Sequence, residues 1–163
     1  MSNGIESPPP RPPEGCFGLE AAARHFGVRA SQLKECTREG LLLSLKSSRG
    51  KLYYTDRDYE WIHTLRRLRE EAHLSFEGIR TLLASGCTCW KVRHCDFHSK
   101  KECPVTSDPS KPCWINRGMW SVLASYPCYS CIAYRSAPQC EALRAVLNAH
   151  LSGASATAGD HGG

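Results

Sequence analysis

Seven cysteines fall between Cys87 and Cys131, and Cys140 lies just beyond; the whole chain has ten. Cys128-Tyr-Ser-Cys131 has the spacing that lets two thiolates grip one metal from a turn. Cys87-Thr-Cys89 is a tighter pair. Reduced thiolates are soft ligands, suited to zinc, copper(I) or iron–sulfur centres, and one zinc or one cubane cluster takes four of them. The expected ligands are Cys89, Cys95, Cys103, Cys113, Cys128 and Cys131, with Cys87 as a further candidate. Lys91, Arg93, Lys100, Lys101 and Lys111 would offset their charge and lower their thiol pKa values. Trp90, Trp114 and Trp120 are expected to pack around the site and exclude water.

Compartment and composition frame that chemistry. No apolar run is long enough to span a bilayer, and the proline-rich start lacks a basic-then-apolar signal pattern. A cytoplasmic chain without a membrane partner is the expectation. There thiols stay reduced, which favours metal or redox chemistry over a disulfide framework. A formal charge of +5 suits an anionic partner without proving one.

A second set of chemistry-bearing residues lies upstream, between Lys34 and Lys51, where five basic side chains meet two acidic ones. The elements that must carry them are legible. Leu19, Ala22, Ala23 and Phe26 make one apolar helical face, followed by Gly27 for a tight turn. Ser31 to Glu39 reads as a second helix with Leu33 turned inward and Gly40 as its stop. Helix, glycine turn and helix at this length make a helix-turn-helix. Its outward positions are Arg29, Gln32, Lys34, Glu35 and Arg38; Gln32 can bond a base edge, and the cations can take phosphate or guanine. The stretch from Leu45 to Tyr54 reads as a hairpin wing whose tip carries Lys46, Arg49 and Lys51. Thr55 with Asp58 starts a third helix, buried through Trp61, Leu65, Leu68 and Ala72; Ser75 starts a fourth, buried through Phe76, Ile79, Leu82 and Leu83.

In this order the motifs resemble the MerR family of bacterial transcription regulators. Val28 to Leu42 resembles that family's recognition helix and exit, Gly50 to Asp58 its wing, and Ser75 to Leu83 its fourth helix. The resemblance implies binding to double-stranded DNA through Arg29, Ser31, Gln32, Lys34, Arg38, Lys46, Arg49, Lys51 and Tyr54. It also implies RNA polymerase as a partner. A homodimer is expected because one reading head covers half a typical site. The departures are Lys34 where the family usually has arginine, Cys36-Thr37 for a tyrosine–glutamate pair, and Lys51-Leu52 for an aromatic–arginine pair. Lysine keeps the charge and loses the bidentate fork. The long pairing helix of the family has no counterpart after Gly86. The Cys-Trp pairs with Cys103-Pro104 and Cys128-x-x-Cys131 resemble a small cysteine–tryptophan module of bacterial signalling proteins.

The expected fold is mainly α: a winged helix-turn-helix of about four helices, an irregular cysteine-rich metal-stapled module, and a short closing helix. The expected boundaries are a disordered leader over 1–15, the DNA-binding domain over 16–86, the cysteine module over 87–135, the helix over 136–151 and a loose tail over 152–163. The function expected is a DNA-binding regulator whose cysteines sense metal or redox state. The alternative is a DNA-binding or interaction module with a purely structural zinc. A CxxC thiol oxidoreductase is the weakest reading, since no thioredoxin-like pattern surrounds the pair, and no other catalytic constellation is present.

Overall fold

The computed structural model describes residues 14–47, 49–86, 110–118 and 131–157. The elements run β1 (Cys16–Gly18), α1 (Leu19–Phe26), α2 (Ala30–Arg38), β2 (Leu45–Lys46), β3 (Leu52–Thr55), α3 (Tyr59–Glu70) and α4 (Phe76–Gly86). They continue with α5 (Cys113–Gly118), α6 (Ile132–Arg135) and α7 (Glu141–Thr157). The fold is mainly helical, with one small antiparallel sheet of strand order β1-β3-β2.

Two glycines end the helices of the turn in the same way. Gly27 and Gly40 have φ of 66° and 76°, where a side chain would be strained. Val28 N–H donates to Ala23 and Gly27 N–H to Arg24; Leu41 N–H donates to Cys36 and Gly40 N–H to Thr37. Each is a Schellman closure, which satisfies carbonyls the helix leaves open. Ahead of α3 and α4, Asp58 Oδ2 accepts the Thr55 N–H at 2.9 Å, and Ser75 Oγ accepts the Gly78 N–H at 3.0 Å. The Thr55–Asp58 cap opens a short 3-10 turn over Asp56–Asp58 before α3 begins.

Three features differ from the sequence expectation. Residues 16–18 form a strand that pairs Phe17 with Tyr54 and Gly18 with Tyr53, so β3 is the central strand of its sheet. The closing helix α7 runs to Thr157, six residues beyond Leu151, through a stretch read as loose tail. The core also crosses the boundary expected at residue 86. Phe26, Leu33, Trp61, Leu65, Leu68, Ile79 and Leu83 share one hydrophobic cluster with Trp114, Tyr134, Leu143 and Leu147. Burying each such side chain contributes about 1.5–3 kcal/mol. The leader over 1–13 and most of the cysteine module lie outside the described residues.

Candidate nucleic-acid interface

The basic side chains stand on two elements. On α2, Lys34 and Arg38 are exposed, as are Ser31 and the preceding Arg29. On the hairpin, Lys46, Arg49 and Lys51 are exposed. The tip is held by its own backbone and by Ser47: Ser47 N–H donates to Lys51 O at 2.9 Å, and Ser47 Oγ accepts the N–H groups of Arg49 and Lys51. A bond between α2 and β3 joins the two elements. The Thr37 hydroxyl meets the Tyr54 hydroxyl at 2.9 Å and also donates to Leu33 O at 2.7 Å.

That bond relocates one expected DNA contact. Tyr54 is fully buried and its side chain belongs to the hydrophobic core, on the central strand of the sheet. It positions the wing against α2 and is unavailable to a ligand at the surface. Burial pushes its pKa upward, against the smaller opposing effect of the Thr37 bond. Gln32, expected among the outward positions, is half-buried and engaged within the protein. Its Oε1 accepts the Arg29 N–H at 3.1 Å and its Nε2 donates to Glu70. Arg29 lies 3.8 Å from the same Glu70, and Arg38 lies 4.0 Å from both Glu35 and Glu39. Such exposed pairs are weak. Lys34 has no ion-pair partner among the described residues. Ser31, Lys34 and Arg38 therefore form the outward row of α2.

Cys36 lies on the opposite, half-buried side of α2. It lines a cavity of about 160 Å³ with Leu33, Leu42, Ile62, Leu65 and Phe76. Burial, with the Glu35 carboxylate, pushes its thiol up to about 11. It stays protonated at neutral pH, which suppresses nucleophilic and ligand chemistry there.

Of the expected metal ligands, Cys113 and Cys131 are described; Cys87, Cys89, Cys95, Cys103 and Cys128 lie outside the described residues. Cys113 is buried against the core and Cys131 is half-buried at the start of α6. Among the described residues no group of three His, Cys, Asp or Glu side chains is placed to hold a metal ion, and no helix is long and apolar enough to cross a membrane.

Sequence reasoning missed how the distal residues meet the reading head. Trp114 Nε1–H donates to Gly40 O at 3.0 Å, and Leu43 N–H donates to the Tyr134 hydroxyl at 2.9 Å. Arg135 donates to Asp58 Oδ1 at 2.9 Å and to Arg57 O at 3.2 Å. Trp114 was legible only as an aromatic near cysteines, and nothing in the local pattern marks Tyr134 or Arg135.

Comparison with known proteins agrees with the geometry of the first half. Residues 18–86 match the family described as MerR HTH family regulatory protein. No curated protein and no solved structure matches the chain.

Proposed function

Residues 18–86 are a helix-turn-helix domain of the MerR family, and from that premise we propose that this DNA-binding regulator reads a promoter through α2 and the wing while its cysteines hold an inorganic centre. The observation that carries the DNA reading is the outward row Ser31, Lys34 and Arg38 beside an exposed basic wing, joined through Thr37 and Tyr54. Cations on both elements would neutralise phosphates and place α2 against base edges. Lys34 supplies a point charge where a fork would fix geometry, so register depends more on the wing. The partners on this reading are double-stranded DNA, a second copy of the chain and RNA polymerase.

The test is binding of the purified chain to duplex DNA from its own promoter region. Phosphate neutralisation gives a salt slope of about −0.9 per contact. The double variant Lys34→Ala/Arg38→Ala is expected to lose at least about tenfold in affinity and to flatten that slope by about two. Undiminished binding by this variant would remove α2 from the interface.

For the cysteines, the support is chemical. Seven thiols within Cys87 to Cys131, in a chain with basic neighbours around them, suit a soft metal or an iron–sulfur cluster. The protein prepared without oxygen is expected to carry stoichiometric metal, and Cys128→Ser/Cys131→Ser to lose it. Brown colour with iron and sulfide supports a sensor; a colourless protein with unexchangeable zinc supports a structural staple. A reduced, folded protein without metal defeats both.

A further inference from the structure

We propose that Trp114, Tyr134 and Arg135 are positioning residues for DNA reading: a clamp that fixes the angle between the recognition helix and the wing without touching DNA. The proposal rests on the DNA-reading assignment above and names what regulates its geometry.

The three side chains reach the three joints of the reading head. Trp114 donates to the carbonyl of Gly40, the residue that ends α2. Ile115 seals the same joint; its Cγ1 would stand 3.1 Å from a Cβ at Gly40. Tyr134 accepts the N–H of Leu43, two residues before the wing begins at Leu45. Arg135 bonds Asp58, whose other oxygen holds the N–H of Thr55, the last residue of the wing. The exit of the recognition helix, the entry to the wing and the exit from the wing are thus each tied to one distal residue.

The clamp is itself one unit. The rings of Trp114 and Tyr134 pack edge to face with centroids 5.3 Å apart. The Arg135 guanidinium lies 5.2 Å from the Tyr134 ring centroid. Trp114 and Tyr134 are buried at 3% and 2% exposure, so neither can meet a phosphate. What they provide is rigidity. Docking a helix and a wing at once is tight only if their relation is set beforehand, because ordering a loose wing on binding subtracts from affinity. Cys113 directly precedes Trp114, and Cys131 lies three residues before Tyr134. The clamp therefore connects the sulfur-rich stretch to the reading head, and a change in the state of those thiols has a short route to the wing.

The test uses the full chain and the variants Tyr134→Phe, Trp114→Phe, Arg135→Gln and Arg135→Lys. Three quantities are read: affinity for the promoter duplex, affinity for a random duplex at the same salt, and amide exchange over residues 41–58. Tyr134→Phe removes the hydroxyl that accepts the Leu43 N–H and leaves the ring. It is expected to weaken promoter binding about three- to tenfold, the size of one net hydrogen bond, with a smaller effect on random duplex. Exchange should quicken at Leu43 and through the wing. Arg135→Gln should do the same near Thr55, with Arg135→Lys partly restoring it. Folded Tyr134→Phe and Trp114→Phe proteins with wild-type exchange and wild-type promoter affinity would overturn the clamp. Should Arg135→Gln fail to fold, those two variants decide. A wild type that binds neither duplex defeats the DNA reading instead, and the exchange measurement still judges whether the clamp holds the wing.

Discussion

Replacing Asp58 with alanine is expected to destabilise the fold by about 3–5 kcal/mol, the usual cost of removing one partner from a buried ion pair. Asp58 is the one charged or polar residue fully buried in the described core. Its carboxylate takes the Thr55 N–H on one oxygen and the Arg135 guanidinium on the other. Alanine leaves an arginine only 15% exposed facing a cavity, and an orphaned backbone donor at the cap. A domain with about 5–15 kcal/mol in total would become marginal. Asp58→Asn keeps an acceptor for Thr55 and should lose less. Asp58→Ala/Arg135→Met should recover part of the loss, since the stranded charge leaves with its partner. Urea denaturation of the four proteins measures this, and an Asp58→Ala midpoint equal to wild type would falsify the assignment. The exposed pair of Arg38 with Glu35 gives the contrast: its removal should move the midpoint little.

Trp61→Ala is the second large effect, expected at about 3–5 kcal/mol. Trp61 is 2% exposed in the centre of the core, and its indole N–H donates to Leu41 O at 2.8 Å. Leu41 directly follows the glycine that ends α2, so this side chain both fills volume and anchors the path into the wing. Trp61→Phe separates the two contributions. It keeps most of the buried ring and gives up the hydrogen bond, so it should cost about 1 kcal/mol for that bond plus a smaller packing loss. Equal losses for the two variants would mean that burial of the ring is not what Trp61 contributes.

The first half of the fold was legible because its signals are local. Trp61, Leu65 and Leu68 repeat at helical spacing within α3, as do Ile79 and Leu83 within α4, and all are buried. Gly27 and Gly40 mark turns that need positive φ, and Thr55 and Ser75 precede helices they cap. What failed to read depends on partners far away in sequence. Cys16–Gly18 is a strand only because Tyr53 to Thr55 pair with it, and a three-residue run ending in glycine carries no period. Gln32 stands one turn before Cys36 on the half-buried side of α2, where Glu70, 38 residues away, holds its amide. The bonds from Trp114, Tyr134 and Arg135 span 74, 91 and 77 residues, beyond any window of periodicity. α7 continues past Leu151 through a stretch whose Gly and Ser content suggested otherwise.

The joint between α4 and α7 bears on how this protein can be rearranged. A Cβ on Gly86 would come within 2.9 Å of Cys140 Sγ, and Ala142 lies just behind. A larger residue at one position therefore requires a smaller one at the other. A chimera that transplanted residues 18–86 onto a foreign sensor would uncover the seat of Leu143 and Leu147 and inherit a sticky, wet flank. The recipient would have to bring its own lid for it.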